Sequence, residues 1–154
     1  MKLYIKQHLF TWGDTFSVYD ADGSECFRVE SEILTLGRKL HVYDAAGQER
    51  AFIGQELLTF LPRYHVEIDG AEVAAVVQEF TFFTREYTVE GPGWTVTGDF
   101  FDHDYQITYG CRTVDAISRE WLTLGDAYEI DIAAEDDTLT ALAVVIVIDA
   151  CMDR

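Results

Sequence analysis

The sequence predicts a mostly β fold in which one antiparallel sheet closes around a buried C-terminal helix. Three observations carry that prediction. Short stretches alternating apolar and polar side chains recur along most of the chain, spaced at roughly 8 to 12 residues as in antiparallel sandwiches and barrels. The segments between them are rich in Asp and Gly. Near the end of a 154-residue chain of formal net charge −17 stands Leu139 to Ile148, a run without a single charged residue.

In chain order, the alternation is clearest in Phe16-Ser17-Val18-Tyr19, Lys39-Leu40-His41-Val42-Tyr43 and Tyr64-His65-Val66-Glu67-Ile68. It continues in Tyr87-Thr88-Val89, Trp94-Thr95-Val96-Thr97, Tyr105-Gln106-Ile107-Thr108 and Tyr128-Glu129-Ile130-Asp131-Ile132. These β-branched and aromatic residues suit a pleated, half-buried surface. Between them lie Asp20-Ala21-Asp22-Gly23, Asp44-Ala45-Ala46-Gly47, Asp69-Gly70 and Gly91-Pro92-Gly93. Asp bonds to nearby backbone and Gly takes positive φ, so these are read as hairpin turns. One unit repeats: Val18-Tyr19-Asp20-Ala21-Asp22-Gly23 returns 24 residues later as Val42-Tyr43-Asp44-Ala45-Ala46-Gly47, each followed by a glutamate, Glu25 or Glu49. Two copies predict two hairpins of one design, whereas a solenoid needs three or more.

The tail departs from this pattern. Glu135-Asp136-Asp137-Thr138 supplies acidic and capping side chains suited to the positive end of a helix. The apolar run after Thr138 has no polar face. Its length of about ten residues admits a buried helix or a buried strand, and Val144 to Ile148 favours the strand by propensity alone. A helix apolar on every side must be enclosed, and a sheet rolled around it would enclose it while removing the sheet's own edges. The expectation is a central helix at about 137–149 within a single domain spanning 1–154.

Charge and composition exclude several classes. Residues 1–65 carry seven Lys/Arg against nine Asp/Glu, and residues 66–154 carry four against nineteen. Phosphate neutralisation by Lys and Arg supplies most non-specific nucleic-acid affinity, so no nucleic-acid partner is expected. The same charge disfavours peripheral contact with an anionic membrane, and the apolar run is too short to span a bilayer. The N-terminal residues do not read as a secretion signal, so the expected location is cytoplasmic. Few lysines among many carboxylates also suit a protein kept soluble in high salt. Cys26, Cys111 and Cys151 form no CxxC pair and are expected to be reduced, mostly buried thiols.

Eight segments in this order carry a family resemblance: Phe16-Ser-Val-Tyr-Asp20, Val42-Tyr-Asp-Ala-Ala-Gly47, Leu61-Pro-Arg-Tyr64, Val96-Thr-Gly-Asp99, Asp104-Tyr-Gln-Ile107, Ile117-Ser-Arg-Glu-Trp121, Tyr128-Glu-Ile-Asp-Ile132 and the apolar run ending at Asp149. With them the chain resembles the LURP-one-related proteins, whose fold is like the C-terminal domain of tubby proteins and of phospholipid scramblases. The resemblance covers essentially the whole chain. It implies a closed antiparallel barrel of about twelve strands with the C-terminal helix through its middle. Ser118-Arg119-Glu120 departs from the pattern, since relatives often carry a lysine there. The resemblance implies no activity, because a shared fold does not carry function.

Two candidate sites remain. Lys2, Lys6, Arg38, Lys39 and Arg63 are the one concentration of positive charge and would meet an anionic ligand, a lipid head group or a protein partner. Asp99, Asp102, His103 and Asp104 offer carboxylates and an imidazole to a divalent cation, though Asp102 to Asp104 also reads as a polar turn between strands. No Gly-x-Ser-x-Gly, His-Glu-x-x-His or phosphate-cradling glycine loop is present, so no cofactor is expected. His41 and His65 read as hydrogen-bonded strand residues. Phe80, Phe82, Phe83, Phe100, Phe101 and Trp121 read first as rings filling the space between barrel and helix, with the lining of a ligand pocket as the alternative. The expected function is a non-enzymatic binding or scaffold protein, and the alternative is a small metal-dependent enzyme built on Asp99 to Asp104.

Overall fold

The computed structural model describes residues 1–6, 15–32, 35–122 and 125–152. Among these, twelve strands follow one another: β1 (Lys2–Lys6), β2 (Thr15–Asp20), β3 (Glu25–Ser31), β4 (Lys39–Asp44), β5 (Glu49–Gln55) and β6 (Arg63–Ile68), then β7 (Ala71–Gln78), β8 (Glu86–Glu90), β9 (Trp94–Asp99), β10 (Asp104–Tyr109), β11 (Arg112–Leu122) and β12 (Gly125–Ile132). Every strand pairs antiparallel with its sequence neighbours, and β1 pairs with β12, so the sheet closes. A 3-10 turn, Glu135–Asp137, leads into α1 (Thr138–Met152).

Most strands turn alternate side chains inward, such as Leu3 and Ile5 from β1, Leu40 and Val42 from β4, and Ile130 and Ile132 from β12. They meet α1, of whose fifteen residues eleven are buried. The Val144 to Ile148 run is helical despite its strand propensity. A strand there would present backbone donors and acceptors to a barrel whose own groups are already paired, whereas a helix satisfies its own. The helix runs to Met152, past the expected limit near 149, because Ala150 and Cys151 still pack inside and the Arg38 guanidinium donates to the Ala150 carbonyl at 3.0 Å.

The repeated turns share one geometry. Asp20 Oδ1 accepts from the amides of Asp22 and Ser24 at 2.9 and 3.0 Å, and Asp44 Oδ1 accepts from those of Ala46 and Gln48 at 3.0 Å each. The repeat extends further than the two copies visible as sequence. Register shifts fall at Val18, Val42 and Val66, each 24 residues from the last, and the third hairpin turns on Asp69 and Gly70 with both φ positive. The sequence shows β1, β3, β5, β7 and β11 less clearly than the other strands. In β7 three consecutive residues, Ala74 to Val76, are buried, and the β10–β11 pairing shifts register at Ile107, which interrupts the period-two signal.

Two expectations about burial are corrected. Cys26, Cys111 and Cys151 are all free, but only Cys151 is buried, and Cys111 is exposed on a turn. Of the aromatics assigned to the core, Phe100 is buried while Phe80, Phe82, Phe83 and Phe101 are exposed. The helix already fills the interior and leaves no room for them. Trp121's side chain lies outside the described residues.

Candidate functional site at the loop end

Because the strands run sequentially and antiparallel, alternate connections lie at opposite ends of the barrel. The tight Asp/Gly turns share one end. The connections 32–38, 56–62, 79–85 and 100–103 share the other, where α1 finishes. Thr138, at the start of α1, touches Met1 at the turn end.

This arrangement separates the anionic-ligand candidates. Lys2 lies at the turn end, paired with Glu129 at 3.3 Å, and hydrogen bonding to Glu129 raises its pKa. Arg38, Lys39 and Arg63 lie at the loop end. Arg38 holds the helix carboxyl terminus, and Arg63 sits between Glu56 at 3.0 Å and Glu90 at 2.6 Å. The Lys6 side chain lies outside the described residues. The five therefore do not share one surface.

The metal candidates are brought close in sequence but not in orientation. Asp99 Oδ1 accepts from the Asp102 amide at 3.1 Å, the bond expected of a polar turn. His103, at φ 51°, turns inward and stacks on Tyr128 with ring centroids 4.4 Å apart. Its Nε2 stands 3.7 Å from Asp149, the one charged residue of α1, which also accepts the Tyr128 hydroxyl. Asp102 and Asp104 face solvent. Among the described residues no three His, Cys, Asp or Glu side chains group to hold a metal ion.

Tyr105 packs beside this cluster, its pKa pushed well above the ordinary value by burial and by Asp149. Gly98, paired opposite Tyr105 with φ +138°, makes that packing possible: a Cβ there would lie 2.5 Å from the Tyr105 Cα. Gly98→Ala is expected to lower unfolding stability by about 2 kcal/mol or more in urea titration, because it adds strain to a steric clash. An unchanged midpoint would mean the two strands can separate without cost.

His41 and His65 occupy equivalent outward positions, His41 between Glu32 and Glu49 and His65 between Glu56 and Glu72. Burial works against the charged form of His41, and the hydrogen bonds to Glu49 and Glu32 outweigh it, so its pKa is raised. Both are structural partners, as read from the sequence.

The feature that sequence reasoning missed is apolar. Among the described residues, eight of the eleven large hydrophobic side chains that are exposed lie at the loop end. Leu36 stands on connection 32–38, Leu57, Leu58 and Phe60 on 56–62, Phe80, Phe82 and Phe83 on 79–85, and Phe101 on 100–103. Phe82 and Phe83 are 84% and 99% exposed, far from the core role expected of them. A sequence signal was available. Leu57-Leu58-Thr59-Phe60 has the same pattern as Ile33-Leu34-Thr35-Leu36 and Leu9-Phe10-Thr11-Trp12 at steps of 24, and as Trp121-Leu122-Thr123-Leu124. Residues 7–14, 33–34 and 123–124 lie outside the described residues.

These features define a class: a closed antiparallel barrel threaded by its own C-terminal helix, with apolar connections gathered at the end where that helix finishes. The chain belongs to the LURP-one-related family, whose model matches residues 1–149. It is 36% identical over 149 residues to the uncharacterised protein YxjI of Bacillus subtilis (strain 168), a match covering 97% of this chain and 92% of that protein. It is also similar to the X-ray structure of an Arabidopsis thaliana protein, with a TM-score of 0.65 at 15% identity, covering 97% of this chain and 91% of the other. At that identity the likeness shows the fold alone. Among the described residues no helix is long and apolar enough to cross a membrane.

Proposed function

We propose that the chain is a binding protein without catalytic activity whose contact surface is the loop end of the barrel. The observation that carries this reading is the gathering of exposed Leu and Phe side chains on four connections at that end. Exposed apolar patches of this kind mark interaction sites. The closed interior supports the same reading, because α1 occupies the space in which a barrel would otherwise hold a ligand. Contact therefore falls to the exterior. Arg38 and Arg63 serve the scaffold in this reading, one closing the helix end and the other bridging two glutamates.

A photoreactive phenylalanine analogue placed at Phe60 or Phe82, in cells that make the protein naturally, tests this. Adducts are expected from both positions and not from Ala21 or Ala46 at the turn end. Absence of adducts at the loop end, or equal adducts from both ends, would remove the reading.

A further inference from the structure

The connections 56–62, 79–85 and 100–103 do more than display apolar tips. They enclose a groove of about 690 Å³ between them. Phe60, Phe80, Phe82, Phe83 and Phe101 line it, with the Phe80 and Phe82 rings edge to face at 5.3 Å. Glu79 and Asp99 also line it, both exposed, and exposed Asp102 comes directly after Phe101. Arg85 lies in the same wall, but its guanidinium sits 5.5 Å over the Phe101 ring and donates to Met152 Sδ at 3.1 Å. Its charge is turned toward the helix end.

Charge selects the occupant. Two copies of a chain with net charge −17 repel each other, which works against self-association through this end. An anionic bilayer meets the same repulsion from the carboxylates beside the groove. A partner with its own apolar side chains and flanking cations gains from both features, through apolar burial in the groove and complementary charge at its rim. Helix-in-groove docking presents anchors of that kind along one face.

We propose that this groove docks a basic amphipathic helix of a protein partner, its Leu or Phe anchors among the phenylalanines and its Lys or Arg facing Glu79, Asp99 and Asp102. This rests on the loop end being the contact surface, and it adds the chemistry of the partner.

The test uses three fluorescent helical peptides with the full chain: Leu/Lys, Leu/Glu and Ser/Lys, each with the same helical spacing, read by anisotropy. The Leu/Lys peptide is expected to bind at least about tenfold more tightly than either of the others. Phe82→Ser with Phe83→Ser, both at exposed positions, is expected to weaken it by about tenfold or more. Glu79→Gln with Asp102→Asn is expected to weaken it several-fold, while Asp22→Asn with Asp136→Asn, an equal charge change at the turn end, leaves it within about twofold. Equal binding of the Ser/Lys peptide, or indifference to the double serine variant, would overturn the groove. Phenylalanine-dependent binding to phosphatidylcholine vesicles in preference to the Leu/Lys peptide would overturn the partner class in favour of a membrane. If crosslinks form at Phe60 and Phe82 while the Leu/Lys peptide fails, the partner chemistry falls and the contact surface stands. Without those crosslinks, both fall.

Discussion

Removal of residues 138–154 is expected to leave no cooperatively folding protein. The deletion takes away all of α1, including Leu142, Val144, Val145, Ile146, Val147 and Ile148, each no more than 1% exposed. Full burial of one such side chain contributes about 1.5–3 kcal/mol. Six together reach or exceed the roughly 5–15 kcal/mol by which a typical domain is stable. The loss does not end with the helix. The inward residues of twelve strands would line an empty tube, and a barrel this size without its filling has no way to collapse without breaking strand pairs. Far-UV circular dichroism, gel filtration and urea titration of the truncated chain check this. A compact monomer with a sharp transition would show that the sheet does not need its helix.

The second large effect is a gain. Asp115 is fully buried and points inward opposite Ile107 and Ile132, and among the described residues no side chain bonds to its carboxylate. Burial first, then the charge of Asp131, pushes its pKa up from 3.8 to about 7, with the Ala116 amide and the N-terminal ammonium pulling the other way. The folded state thus favours the protonated acid. Stability is fully present below the unfolded value near 3.8 and falls as pH rises through about 7. The difference corresponds to roughly 4 kcal/mol withheld above that range. Asp115→Asn keeps the shape and cannot ionise. It is expected to be several kcal/mol more stable than the parent at pH 8.5 and only about 1.5 kcal/mol more stable at pH 5. The raised pKa of His41 also makes the parent less stable as pH rises, so the readout is the parent–variant difference in urea titrations at the two pH values. A difference that does not grow with pH would mean Asp115 is ionised in the fold without cost.

The candidate site was less legible than the fold, for a definite reason. Exposed and buried phenylalanines look alike in sequence. Phe100 and Phe101 are adjacent, yet one packs against Tyr87 and Tyr105 while the other lies at the surface beneath Arg85. Composition assigns both to the core. Only the closed barrel, with its interior already occupied, shows that one has to remain outside. The charged candidates were legible as residue types and misleading as a group. Arg38 bonds to a carbonyl at the helix end and Arg63 to a carboxylate on β8, both far away in sequence, while Arg63's other partner, Glu56, lies on the connection just before its own strand.

By itself the sequence determined the antiparallel pairing, the Asp/Gly hairpins and the presence of one enclosed apolar segment, because period-two burial and turn chemistry are local properties of a few neighbouring residues. Tertiary structure decided that Val144 to Ile148 is helix rather than strand, that Asp149 meets His103 and Tyr128, and that eight apolar side chains among the described residues collect at one end. Those outcomes depend on how much space the closed sheet leaves inside and on which connections its alternating direction brings together, and no short stretch of chain contains that information.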